Sequence, residues 1–403
     1  MNLKHLIRIA CALCAFAMAA LEMPFGFFAV TPVYCDGYEK ILTEDSSIQT
    51  AININHDILI HSQSIDFAYQ RINEARSLYF PKIDFNLNVS RFNNMEPLIL
   101  PGQLSPSPIY LPGEIKDIYF STRLSVWQGI YSGGKVRTTN KLAEMNMNKV
   151  KNEANAVKNN VINKVKTVFN ACILYKEKRD LFSRQLGDIN NKKSAEASEL
   201  QRKIDLMSFS FDKEVLTLLN VIGLELETMV MLEGKLTPKI KKFDLSQCML
   251  WAYQFRPEMQ STQMQESIDG LMVNLVSMQK FPTISIGAGQ EWLGERVIGD
   301  ESSWYVSINA NLPVFDGGGS FARVKQGRVN AREATLKRSK IEDQVKLEVS
   351  KALMEYNFWK EQFYKAEMSE KIPYTEPELD IIYNLNRSYY ALELAVGVQL
   401  DSY

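Results

Sequence analysis

The chain is poor in the residues on which most chemistry depends. It holds 3 histidines and 5 cysteines among 403 residues. His5 lies in the N-terminal segment, and the spacing between His56 and His61 does not place them well on one face of a helix. Cys11 and Cys14 lie in the N-terminal segment and Cys35 sits near its end, Cys172 and Cys248 show no metal-ligand spacing, and nothing in the five reads as a disulfide framework. No Ser-His-Asp grouping and no P-loop occurs, so no constellation for an enzyme, a cofactor or a metal is present in the sequence. The stretch "DGGGSFARVKQG" lacks the ending of a phosphate-binding loop. A formal net charge of -1 excludes a highly basic nucleic-acid binder, and 46% hydrophobic residues exclude a disordered polar chain. After the N-terminus no run of about twenty uninterrupted apolar residues occurs, which excludes a bundle of membrane-spanning helices.

What is present begins with a targeting segment. Lys4 and Arg8 precede an apolar run from Ile9 to Leu21, and small residues follow. Residues 1–36 read as a cleaved secretory signal, with cleavage after Ala19 or Ala20, or near Cys35. Lipidation at Cys35 and a retained anchor are the alternatives, opposed by the bulky Tyr34 and by Pro24 and Gly26.

Four segments then alternate apolar and polar residues with a period of two. Ile83, Phe85, Leu87 and Val89 alternate with Asp84, Asn86, Asn88 and Ser90. Ile118, Phe120, Leu124 and Val126 oppose Ser121, Arg123 and Ser125. Ile284, Ile286 and Ala288 oppose Thr283, Ser285, Gly287 and Gly289, and Trp304, Val306, Ile308, Ala310 and Leu312 oppose Tyr305, Ser307, Asn309 and Asn311. Each runs about ten residues, enough for a tilted strand to cross a bilayer. The polar faces suit a wet lumen. The aromatics Tyr79, Phe80, Tyr119, Trp127, Trp292, Trp304 and Tyr305 stand at strand ends, where an interfacial girdle is expected. Four strands do not close a barrel, and an open edge in lipid leaves backbone groups unpaired. The pattern therefore predicts association of identical chains; three copies give a twelve-stranded barrel.

Long amphipathic helices fill the rest. Lys135 to Leu186 contains no proline or glycine, and its apolar residues recur at spacings of three and four. Such a helix runs on the order of 75 Å. The fold class is mixed α and β, with two repeats of helix, strand, strand, long helix, turn and helix. The first repeat spans 37–236, with strands about 82–92 and 117–128 and helices about 135–187 and 196–233. The second spans 237–403, with strands about 283–292 and 303–314, a helix about 318–368 and a last helix about 378–400. In each repeat a single helix leads into an aromatic residue and a proline, Phe80-Pro81 and Phe281-Pro282, which force extended backbone. In each, a strand passes into a helix through paired glycines, Gly133-Gly134 and Gly317-Gly318, where dihedral freedom is needed. Asp316, and more weakly Ser132, is placed to cap the following helix. The proline-rich loop of residues 93–116 between the first two strands suits the outer side of a barrel.

With "LPVFDGG" preceded by "FPTISIGAG", weaker copies in "LYFPKIDFNLNVS" and "VWQGIYSGG", and "FRPEM" opening the second repeat, the chain resembles the TolC-like outer-membrane efflux family. That resemblance implies a homotrimer in the outer membrane of a Gram-negative-type cell. Its strands share one twelve-stranded barrel in lipid, and its helices form a periplasmic tunnel. It also implies a passive export duct, partnered by a periplasmic adaptor and an inner-membrane pump, carrying drugs, metals or, in type I secretion, proteins. Ser194, Glu196, Ser198 and Glu199 by the first helical turn, and Glu376, Glu378 and Asp380 by the second, are then candidates for a tunnel mouth or adaptor-docking tip. Threefold symmetry multiplies each carboxylate there and favours cations. The plainer reading is acids at solvated helix N-termini. Two alternatives to the duct stand. One is a periplasmic coiled-coil adaptor whose sheet is sealed within one chain. The other is a shortened, non-conducting member, because the first hairpin reads as short near Asn190 to Ser198 and the last helix stops at Tyr403.

Overall fold

An asparagine divides one of the two leading helices in two, and a proline divides the other. A computed structural model describes residues 40–91, 99–100, 109–110, 118–188, 195–294, 296–299, 301–366 and 374–400. The signal segment, most of the proline-rich loop, the tips of both turns with Ser194, and Tyr403 lie outside them. In chain order the elements are β1 (Lys40–Leu42), α1 (Glu44–Ile54), α2 (His56–Ser77), β2 (Lys82–Arg91), β3 (Ile99–Leu100), β4 (Ile109–Tyr110), β5 (Ile118–Tyr131), α3 (Lys135–Asp188), α4 (Ala195–Ile222), β6 (Val230–Leu232), α5 (Leu245–Phe255), α6 (Pro257–Ser277), a single 3-10 turn (Met278–Lys280), β7 (Thr283–Gly294), β8 (Glu301–Asn311), α7 (Gly319–Lys365) and α8 (Glu376–Val396).

The break between α1 and α2 falls at Asn55, whose backbone is extended and whose Oδ1 accepts from the Ile58 N–H at 3.2 Å. Its Nδ2 donates to the Val221 carbonyl at 2.8 Å, tying the break to the end of α4. The break between α5 and α6 falls at Arg256, because Pro257 pushes the residue before it out of the helical region. The expected single helices are corrected accordingly.

A second correction concerns α4, expected to reach Glu233. It stops at Ile222 because Gly223 takes φ +91°, and the N–H groups of Gly223 and Leu224 both donate to the Leu219 carbonyl at 2.9 Å. Gly397 ends α8 in the same way at φ +80°. Each glycine abuts one of the helix breaks. A Cβ on Gly223 would meet the Ile54 carbonyl oxygen at 3.1 Å, and one on Gly397 would meet the Arg256 Cα at 2.9 Å. Backbone cannot yield as a side chain does. Gly397→Ala is therefore expected to destabilise the chain by about 3 kcal/mol, the sum of left-handed strain and overpacking. A urea titration of the detergent-solubilised protein followed by far-UV circular dichroism measures it.

The strands β2, β5, β7 and β8 form one antiparallel sheet in that order, so chain order is also spatial order. β5 runs on to Tyr131 through an irregularity between Gly129 and Tyr131. β8 stops at Asn311, short of the expected 314, since Pro313 has no N–H to give a ladder. The helices next to the sheet keep the same sequence: α2 packs on α3, α3 on α6, and α6 on α7. Farther from the sheet the order is α4, α3, α8, α7. The core gathers at that level, around Val165, Phe169, Leu218, Tyr356, Leu385 and Tyr389. Tyr356 stacks at 5.9 Å from Tyr389, and its hydroxyl receives the Lys241 N–H at 2.7 Å.

Candidate functional site

The register of the sheet carries the apolar side chains of four strands onto one face. Ile83 stands opposite Val126 and Phe85 opposite Leu124. Val126 in turn stands opposite Ala288. Ile286 pairs with Ile308 and Ala288 with Val306. Among the described residues nothing covers this face at its two outer strands. Ile83 is 67% exposed, Val306 65% and Ile308 72%. A soluble protein hides such a surface, because about 1.5–3 kcal/mol is lost for each large apolar side chain left in water.

The opposite face is polar. It carries Asp84, Asn86 and Asn88 on β2, Ser121, Arg123 and Ser125 on β5, and Ser307 and Asn309 on β8. Arg123 and Glu291, neighbours across β5 and β7, form an ion pair of 2.8 Å. Thr122 donates to the Val297 carbonyl, bracing the hairpin between β7 and β8. Two residues expected in the aromatic girdle are found here instead. Trp127 and Tyr305 lie on the polar face, with ring centroids 6.4 Å apart. Their rings occupy the space above Gly287 and Gly289, where any Cβ would meet them at 2.4 and 2.6 Å. The strand parity required this placement; proximity to a strand end did not. Trp304, 75% exposed on the apolar face, and Tyr79 and Phe80, exposed at the helix end, keep the position a girdle needs.

Both strand-to-helix junctions are built alike. Gly133 and Gly134 have φ of 62° and 86°, and Gly317 and Gly318 have 66° and 88°. The Lys135 N–H donates to the Ser132 carbonyl at 3.2 Å, and the Gly319 N–H donates to the Asp316 carbonyl at 3.2 Å. Ser132 Oγ accepts from the Val136 N–H at 3.3 Å, where Asp316 Oδ2 accepts from the Ser320 N–H at 2.7 Å. Asp316 also takes the Ser320 hydroxyl proton and an Arg323 N–H at 3.0 Å. These contacts, the Ser320 hydroxyl first, hold its carboxyl below the usual carboxylate range. The sign follows: a depressed folded-state value keeps the cap intact above the ordinary carboxylate pKa and releases it only as pH falls through the lower value. Hydrogen exchange at the Ser320 amide is expected to stay protected in mild acid and to quicken only below the ordinary aspartate range. Before each leading strand the chain turns in the same manner too. Phe80 N–H donates to Ser77 at 3.0 Å ahead of Pro81, and Phe281 N–H to Met278 at 3.1 Å ahead of Pro282.

The candidate tip residues divide. Glu196 and Ser198 are exposed in the first turn of α4, and Glu199 is exposed just after it. Glu376 faces Lys203 at 3.7 Å, and Asp380 is held by Lys178 at 2.7 Å. Glu378 is buried and closes a capping box by accepting the Thr375 N–H at 2.6 Å. The second group of acids thus serves intrachain contacts.

A polar network in the middle of the helices escaped the sequence reading. Lys166 Nζ lies 2.7 Å from Glu393 Oε2, and both side chains are 7% exposed. Glu393 Oε1 accepts the Leu400 N–H at 2.8 Å. Nearby, the Tyr390 hydroxyl meets Glu44 at 3.2 Å and receives an Asn170 N–H at 2.9 Å. Burial pushes the Glu44 carboxyl and the Tyr390 hydroxyl upward. The signal available was a lysine and a glutamate on apolar helix faces, which pattern alone reads as misplaced. Cys172 and Cys248 are buried free thiols, and burial pushes the Cys248 thiol up to about 11. Among the described residues no group of three or more His, Cys, Asp or Glu side chains could hold a metal, and no helix is long and apolar enough to cross a membrane.

The sheet joined through glycines to long helices has the TolC-like fold of outer-membrane channels. The outer-membrane channel OprN superposes with a TM-score of 0.68 at 11% identity, covering 88% of this chain and 90% of its own. The CmeC outer-membrane channel of Campylobacter jejuni gives 0.62 at 15% identity, over 88% and 85%. The MtrE outer-membrane channel of Neisseria gonorrhoeae, in its open state, gives 0.64 at 13% identity, over 88% and 89%. No protein-family model and no curated protein matches the sequence.

Proposed function

We propose that this chain is one subunit of a passive export duct in the outer membrane, completed by two further copies. The single observation carrying the reading is the sheet. It exposes large apolar side chains on one face, above all at its two outer strands, carries a polar face behind it, and among the described residues leaves β2 and β8 each with one unpaired edge. In lipid an unpaired edge costs several kcal/mol per backbone group, so β8 of one copy must meet β2 of the next. Twelve strands then enclose a wet interior lined by Asn, Ser and Arg123. The helical edges support the same closure. α7 exposes Val329, Leu336, Leu347 and Met354 along one stripe, and the opposite edge exposes Ile60 and Phe67 on α2 and Phe209 on α4. Stripes of this kind expect a helix against them.

The duct has no energy source of its own in this reading. A periplasmic adaptor and an inner-membrane pump supply it, and export of drugs, metals or proteins is the class of cargo the fold's channels suggest. The adaptor alternative requires a sheet sealed within one chain, and the exposure of Ile83, Val306 and Ile308 opposes it. Fractionation with unheated gel electrophoresis tests the proposal. A detergent-extracted band that runs as a trimer and collapses on heating is expected, together with conductance after reconstitution. A water-soluble monomer would overturn it.

A further inference from the structure

The chain carries within itself one finished copy of the contact that its two open edges lack. At the seam where β5 meets β7, α3 packs against α6. There Phe281 is set so close to Gly133 that a Cβ on the glycine would lie 2.6 Å from the Phe281 Cβ and 3.3 Å from its ring. Beside it, Met278 lies over Gly134, its Cε 3.5 Å from where a Cβ would be. Only a residue without a side chain admits this approach, and its φ of 62° suits glycine as well.

The same parts stand apart at the two edges. Gly317 has the φ, the turn and the cap of Gly133, yet among the described residues a Cβ on it would meet nothing within 4 Å, and the same holds for Gly318. Phe80 has the turn and the following proline of Phe281, and its ring is 67% exposed. Gly317 follows the free edge strand β8, and Phe80 precedes the free edge strand β2. The socket is at one edge and the knob at the other.

We infer that Phe80 of one copy seats against Gly317 of a second copy of this chain, as Phe281 seats against Gly133 within it, and that this contact fixes the register between copies. The inference rests on the duct reading above. Equal rise along antiparallel helices then brings Val329 of α7 beside Phe67 of the neighbour's α2, and Leu336 beside its Ile60, so the exposed residues of the two edges cover one another. The positive φ of Gly317 is needed for the turn. Its open space needs a neighbour to explain why glycine, and not asparagine, occupies it.

A photoreactive p-benzoylphenylalanine in place of Phe80, in the full chain, tests this directly. Irradiation is expected to link two copies, with the adduct mapping to the peptide that holds Gly317. The same probe in place of Phe281 is expected to link within one chain, to the peptide holding Gly133. An oligomer that forms without an adduct at the Gly317 peptide overturns the inference and leaves the duct reading standing. A chain that stays monomeric in detergent and in vesicles overturns both. A second comparison uses Gly317→Ala and Gly133→Ala, which share the same backbone strain. Gly317→Ala is expected to leave monomer folding close to that set by the strain alone and to lower the oligomer fraction on the order of tenfold. Gly133→Ala is expected to impair the monomer as well. Full assembly of the Gly317→Ala chain refutes the socket.

Discussion

Ile308→Arg is expected to remove the protein from the outer membrane, whereas Asn309→Arg, one residue on, is expected to leave it there. Ile308 stands opposite Ile286 on the apolar face and is 72% exposed, so in the duct it touches lipid. An arginine on the lipid face of a barrel costs up to about 2–4 kcal/mol per copy, less toward the interfaces, and three copies incur it together. Asn309 stands opposite Ser285 on the polar face, where a charge meets water and changes only which solutes pass. The measurement is the amount of heat-modifiable oligomer in outer-membrane fractions, followed by single-channel conductance of what remains. Equal loss for both variants would mean that the two faces are not divided between lipid and lumen.

Lys166→Met is expected to cost about 3–5 kcal/mol of the stability of the helical part. Lys166 and Glu393 are both 7% exposed, so removing the lysine leaves a carboxylate with little water to solvate it. Glu393 cannot simply follow it out, because its other oxygen holds the Leu400 N–H. The double variant Lys166→Met with Glu393→Gln keeps that acceptor and removes the charge. It is expected to recover most of the loss, and comparison of urea midpoints for the singles and the double isolates the coupling. Should Lys166→Met unfold at the wild-type midpoint, the pair does no work in stability. The exposed pair Lys337–Glu333 makes a useful contrast, since ion pairs of that kind contribute little.

How much of this was legible beforehand depended on the range of the interaction involved. The apolar and polar faces of β2 were readable from residues 83–90, because side-chain direction in a strand alternates by local geometry. The paired glycines and Asp316 were readable for a similar reason: a turn and a cap are made by residues within four positions of each other. The end of α4 was misread, although Gly223 stood in the sequence as an isolated glycine in a helical pattern. Its role comes from Ile54 and Asn55, which approach it across the fold. Trp127 and Tyr305 were assigned by their closeness to strand ends, where the deciding facts were strand parity and the glycines across the sheet.

From sequence alone came the period of each strand, the extent of α3 and α7, and the doubled glycine junctions. These are properties of a backbone segment and its nearest neighbours, so a chain that has not yet folded already contains them. Tertiary structure decided which strands are neighbours, that Lys166 would find Glu393, and that one glycine socket would be filled and its twin left open. Those outcomes join residues far apart in the chain, and their energies exist only once the chain has closed the loops between them.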